Sequence, residues 1–218
     1  MVTSSVEVSA GRVSGAILAG GRARRLGGAD KASLIVGGAR IIDRQLAALT
    51  AVAGDVRIVG DPERYAGLGV RVIADAVAGA GPLGGLYSAL LDAAHDRVIV
   101  LACDLPFVTA ALLERLVLES GTGEEIDAVV PRSARGLEPL CAVYHQRCTA
   151  AARARIERGA LQVAGLLEDV CVRVLEPDTL ARYGDGSLFE NVNTPHDHER
   201  ARGWVELNEK PFEDRITE

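Results

Sequence analysis

Short, unbroken apolar runs alternating with helix-patterned segments set the strongest limit on what this chain can fold into. "VSGAILA" (13–19) and "RVIVLAC" (97–103) lack the polar alternation of a strand with one wet face. A strand apolar on both sides must be covered on both faces. "DVRIVG" (55–60), "VRVIAD" (70–75), "DAVVP" (127–131), "EPLCAVYH" (138–145) and "CVRVLE" (171–176) are the other strand-like runs. Between them, 39–52 places Ile41, Ile42, Leu46 and Leu49 on one helical face. Residues 81–95 carry Pro82 in a first turn, and 109–120 offer Thr109 as an N-cap. Segments 148–159, 160–170 and 195–206 are further helices. This order predicts an α/β chain, a three-layer α/β/α sandwich with a mostly parallel sheet covered on both faces.

Such sheets bind ligands beyond the carboxyl ends of their strands, and the polar signals fall there. Gly20 to Lys31 follow the first strand, Asp75 ends the third and Asp104 ends the fourth. The segment "LAGGRARRLGGADK" (18–31) gathers glycines and four cations around one carboxylate. It has neither the GxxxxGK[ST] of a P-loop nor the GxGxxG of a dinucleotide site. The physics is similar: paired glycines let backbone N–H groups approach an anion. Arg22, Arg25 and Lys31 can neutralise a polyphosphate, while Arg24 is expected to face water. The alternative for the loop is a solvated turn. Asp104, in "LACDLP", stands where a magnesium ligand opposite a phosphate loop belongs, and a strand-end turn former is its alternative.

Composition narrows the classes. With 218 residues, 48% of them hydrophobic, the chain can bury a sizeable core. Residues 1–12 are expected to form a flexible N-terminus, 13–206 a single domain, and 207–218 a polar, frayed tail. A net charge of −6 gives no general attraction to nucleic acid or an anionic membrane. No apolar run approaches a bilayer span and the start lacks the order of a secretory signal. Cys103, Cys141, Cys148 and Cys171 have no zinc-type spacing, so reduced, mostly buried thiols in a cytoplasm are expected. The four histidines are widely placed and read as surface or cap residues.

Taken together, "AILAGGRARRLGGADKA", "VIAD" with "GPLGGL", "ACDLPF", "EPLCAVY" and "NVNTPHD" resemble, in that order, the molybdenum cofactor guanylyltransferases. The resemblance covers roughly residues 13 to 202. It implies the Rossmann-like sheet of the nucleotide-diphospho-sugar transferase fold. It also implies Mg²⁺-dependent transfer of GMP from GTP to the terminal phosphate of molybdenum-bound molybdopterin, with release of pyrophosphate. Molybdoenzymes or their chaperones are the implied downstream partners. By the same resemblance, Leu18, Ala19 and Gly20 contact the guanine nucleotide; the lack of a side chain at Gly21 is expected to leave room for the purine. Lys31 contacts its phosphates, Asp75 the nucleotide, and Asp104 both nucleotide and Mg²⁺. Arg25 and Lys31, with Arg22 as a further candidate, stabilise the leaving pyrophosphate. Asn191 and Asn193 complete the catalytic pocket, and the pterin is expected across the second half, near Pro139, Asn191 and Asn193.

One departure accompanies the match. Members of the family can carry a nucleotide-touching asparagine just after the second strand, where this chain has Val59, Gly60 and Asp61. A cytidylyltransferase acting on the same pterin, or a sugar-phosphate nucleotidyltransferase, would use the same fold. A nucleotide-binding escort without catalysis is an alternative of another class.

Overall fold

The computed structural model describes residues 12–20, 31–121, 125–184 and 187–209. In chain order the elements are β1 (Val13–Leu18), β2 (Ile35–Val36), β3 (Ala39–Arg40), α1 (Ile41–Thr50), β4 (Asp55–Val59) and α2 (Pro62–Tyr65). They continue with β5 (Arg71–Ile73), α3 (Gly81–Asp92), β6 (Arg97–Ala102), α4 (Ala110–Ser120), β7 (Ala128–Ser133) and β8 (Gly136–Leu137). The last are β9 (Cys141–His145), α5 (Cys148–Glu157), α6 (Val163–Leu166), β10 (Val172–Leu175), α7 (Pro177–Leu180) and α8 (Pro195–Glu209).

Seven strands lie in the order β10–β7–β9–β6–β1–β4–β5, and β8 folds back on β7. Pairings β1–β4, β1–β6, β4–β5 and β7–β10 are parallel. β9 is inserted antiparallel between β6 and β7. Its amino end therefore lies beside the carboxyl ends of its neighbours.

The apolar strands divide their residues between two cores, because successive side chains point to opposite faces. Ile17, Ile99, Leu101, Val129 and Val143 enter one core with Ile42 and Leu49 of α1 and Leu112, Leu113 and Leu116 of α4. Ala16, Val98, Val100, Val130 and Tyr144 enter the other with Leu83, Leu86 and Leu90 of α3 and Ala152 of α5. This is the three-layer sandwich expected from the unalternating strands. A smaller cluster of Val36, Ile41, Val192 and Ala201 seats α8 on the β2–β3 hairpin.

Several expectations need correction. The helix expected from residue 39 begins at Ile41, because Ala39 and Arg40 pair with Val36 and Ile35 across Gly37 and Gly38. Both glycines have positive φ, as a tight hairpin requires. The strand expected over 138–145 is confined to 141–145, since Gly136 and Leu137 pair with Ser133 and Arg132 instead. The helix expected over 160–170 is a single turn, Val163–Leu166. The last helix continues to Glu209, into the stretch expected to be a frayed tail. Of the four thiols only Cys141 and Cys148 are buried, and Cys171 is exposed at the start of an edge strand. Thr109 caps α4 as expected, its hydroxyl accepting the Leu112 N–H at 3.3 Å.

At the amino-terminal pole of the parallel strands, Arg57 is 1% exposed. It pairs with Asp55 and, at 2.8 Å, with Asp92. Ser14 donates to Asp55 at 2.9 Å, and Arg71 reaches Asp92 at 2.5 Å.

Candidate active site

At the opposite pole, the carboxyl ends of β1, β4 and β6 open into a cavity of about 400 Å³. Its wall includes Leu18, Gly20, Lys31, Val59, Asp75 and Asp104, with Gly79, Gly85 and Leu140. Backbone bonds lock the three strand ends together. Ala19 N–H donates to Val59 O at 2.8 Å, and Cys103 N–H to Leu18 O at 3.2 Å. Gln45, buried on α1, fixes the turn after β6 by donating to Ala102 O at 2.6 Å and Leu105 O at 3.1 Å.

Lys31 Nζ donates to Asn193 Oδ1 and lies 3.9 Å from Asp104 Oδ2. Residues 162 apart in sequence are thus joined at one point. The segment carrying Asn193 is held from both sides. Val192 N–H donates to Asp104 O at 2.9 Å. Thr194 and Asp197 form a reciprocal capping box at the start of α8. Asp197 N–H reaches the Thr194 hydroxyl at 3.1 Å, and Thr194 N–H reaches Asp197 Oδ2 at 2.9 Å. Asp197 Oδ2 also accepts the Asn193 N–H at 3.1 Å.

Burial pushes the Asp104 carboxyl above the usual carboxylate range, against the opposing charges of Lys31 and Arg135. Its Oδ1 is buried with no hydrogen-bond partner among the described residues. A buried acceptor without a partner is destabilising by itself, and a cation would satisfy it. Among the described residues, no cluster of three or more His, Cys, Asp and Glu side chains could hold a metal. One buried carboxylate oxygen facing the cavity is the kind of hard donor that Mg²⁺ takes. Burial likewise raises Asp75. A Cβ on Gly20 would lie 3.1 Å from Asp75 Oδ2, and one on Gly85 would lie 3.7 Å from Asp75 Oδ1. Bare backbone on both sides of Asp75 keeps that end of the cavity open.

Leu18, Gly20, Lys31, Asp75 and Asp104 thus line one cavity, and Asn193 joins them through Lys31. Ala19 is buried in the strand-end ladder rather than in the cavity wall. Leu140 lines the cavity in place of Pro139, whose carbonyl accepts the Tyr144 hydroxyl at 2.7 Å. Asn191 has a buried Oδ1 without a partner among the described residues. Gly21, Arg22, Arg24 and Arg25 lie outside the described residues. Asp61, at the departure from the family pattern, caps α2 by accepting the Glu63 and Arg64 N–H groups.

Sequence reasoning passed over the cluster beside Pro139. Glu138 is raised by burial and accepts the Ser133 hydroxyl at 2.6 Å. Arg135 donates to Phe189 O and lies 3.8 Å from both Glu138 and Glu190. The usable signal was the charge pattern of "RSARGLEP" next to the matched "EPLCAVY".

Residues 15–170 match the model of the MobA-like NTP transferase domain. The chain is 34% identical over 196 residues to the molybdenum cofactor guanylyltransferase of Desulfosudis oleivorans, covering 88% of this chain and 96% of the relative. It is 38% identical over 197 residues to the probable molybdenum cofactor guanylyltransferase of Pelotomaculum thermopropionicum, covering 89% and 94%. The structure is similar to molybdopterin-guanine dinucleotide biosynthesis protein A from Archaeoglobus fulgidus. The TM-score is 0.76 at 27% identity, over 88% of this chain and 98% of that one. The three-layer arrangement is the nucleotide-diphospho-sugar transferase fold.

Proposed function

Because the chain belongs to the MobA-like NTP transferase family, we propose that it transfers GMP from GTP to the terminal phosphate of molybdenum-bound molybdopterin, acting in the cytoplasm. The observation that carries this reading is the convergence of Lys31, Asp104 and Asn193 at the mouth of a cavity whose other end is bounded by Gly20, Asp75 and Gly85. The nucleoside lies over the ends of β1 and β4, with backbone of Leu18 to Gly20 against the base and Asp75 beside it. The triphosphate then runs toward Lys31.

An oxygen of the acceptor phosphate attacks the α-phosphorus, and the bond to the bridging oxygen of the β-phosphate breaks. The attacking group is already anionic near neutral pH, so repulsion between anions is the barrier to be lowered. The protein contributes position and charge. Lys31 neutralises the departing pyrophosphate, helped by Arg22 and Arg25. Asn193 holds the Lys31 ammonium in place until substrate arrives. Asp104 would hold Mg²⁺ through its unpartnered Oδ1, and the bound ion would supply positive charge to the phosphate oxygens. Asn191 and the Pro139–Leu140 turn face the acceptor.

The test is pyrophosphate release with GTP, CTP or ATP in the presence of molybdenum-bound molybdopterin, with Mg²⁺ and with a chelator. GTP is expected to be preferred by at least about tenfold, the scale of discrimination one buried polar or methyl-sized difference provides. Preference for CTP would overturn the guanylyl reading.

A further inference from the structure

The order of strands gives the site a direction. Across the carboxyl pole from β4 to β7, the edge carries Val59, then Leu18, then Asp104, then Leu140, then the β7–β8 hairpin. Asp75 and Gly85 bound one end, so the hairpin stands on the far side of Asp104 from the nucleoside. In-line attack requires the incoming phosphate to approach the α-phosphorus from the side opposite the departing pyrophosphate. Lys31 serves the pyrophosphate, and its ammonium is already shared between Asn193 and Asp104. The incoming phosphate is itself an anion, entering beside Asp104, Glu138 and Glu190, and it needs a cation of its own.

Resting on the transfer reading above, we infer that Arg135 receives the terminal phosphate of the acceptor. Its guanidinium is 50% exposed and stands 3.8 Å from each of two carboxylates, too far for hydrogen bonds. Ion pairs of that length at a solvated surface contribute little. A phosphate offers the same guanidinium short, bidentate, charge-assisted bonds. The exchange is therefore favourable without remodelling the hairpin. Glu190 keeps Arg200 at 2.7 Å, and Glu138 keeps the Ser133 hydroxyl, so neither carboxylate is stranded when Arg135 turns. Glu138, 3.8 Å from the guanidinium, lies two residues before Leu140 of the cavity wall, which sets Arg135 beside the reacting centre. Its bond to Phe189 O ties the hairpin to the segment leading to Asn191 and Asn193, so phosphate capture and the catalytic asparagines share one support.

Calorimetric titration with molybdopterin alone, without nucleotide, tests the assignment on the full chain. Arg135→Gln is expected to weaken acceptor binding about tenfold or more, the loss for removing one charged hydrogen-bonding partner. Its GTP affinity should stay within about twofold of the unaltered chain, since Arg135 lies outside the nucleotide half. Arg135→Lys retains a cation without the fork and should lose about threefold, which keeps the comparison available if the glutamine variant folds poorly. Equal acceptor affinity in all three proteins, equal losses of acceptor and GTP binding, or no acceptor binding by the unaltered chain would each overturn the assignment. Acceptor binding with the expected ratios but no pyrophosphate release from GTP would strike the transfer reading and leave Arg135 in place.

Discussion

Burial and charge pull in opposite directions on Asp104, and burial wins: its carboxyl is raised although Lys31 stands 3.9 Å away. A raised carboxyl is neutral at no penalty in both folded and unfolded chains at low pH. The folded state loses stability as pH climbs from the ordinary carboxylate range through the raised value. Asp75 is raised by burial and acts in the same sense. At neutral pH without ligand, Asp104→Asn should therefore raise the thermal midpoint while abolishing Mg²⁺-dependent transfer. A fall in the midpoint on differential scanning would mark Asp104 as a structural residue. Lys31 acts on developing charge. Lys31→Ala should lower kcat about 10²-fold, the scale for losing one such donor. Because the side chain is only 25% exposed and donates to Asn193, the thermal midpoint should also fall, by the loss of about one hydrogen bond.

At the scale of elements, the start of α8 links stability to catalysis. Asp197 is lowered despite its burial, because the Thr194 hydroxyl and the N–H groups of Asn193 and Thr194 favour its charged form, as does Arg200. That stabilisation is present above the ordinary carboxylate range and is lost as pH falls through the lowered value. Thr194→Ala should cost about 1 kcal/mol, roughly 2–4 °C in the melting curve for a chain of this size. It should also lower kcat more than it changes KM for GTP, because the same box holds Asn193. Elements like this one were only partly visible in sequence. The two-core strands were legible because an apolar run bounded by glycines admits few other homes. The direction of β9 was not, since "CAVYH" has the same pattern whichever way it runs. The β2–β3 hairpin escaped notice because two residues per strand leave no period, although Gly37-Gly38 is a turn signal. Lys31, Asp75 and Asp104 were legible from their places at strand ends. Asn193 was legible only through its resemblance to known sequences, since no spacing rule joins positions so far apart. Arg135 had only the charge pattern of its hairpin as a guide, because an exposed cation there has neither period nor motif to say what it faces.

Taken whole, the molecule carries a buried charge cluster at the pole opposite its candidate active site. Arg57, lowered by burial against the pull of Asp92, anchors the amino-terminal pole with Asp55. Arg57→Met would take the cation from Asp55 and leave Asp92 to Arg71 alone, for a loss of about 2–4 kcal/mol in urea unfolding; the remaining partners and the partial exposure of both aspartates hold this near the lower end of the range for broken buried pairs. Steady-state constants should remain within about twofold, since the site is remote. A large change in KM for GTP would show instead that the two poles are coupled. The reversed strand β9 has a wider consequence. At every parallel strand the chain leaves the sheet at the working edge, but at β9 it arrives there, through a hairpin and turn that end at Leu140. On the proposed reading, the donor half and the receiving half are thus written in separate stretches of polypeptide, the first before residue 105 and the second after residue 130. Grafting residues 132–139 from a relative that modifies a different phosphorylated molecule would exchange one vocabulary of recipients for another, with the donor nucleotide unchanged.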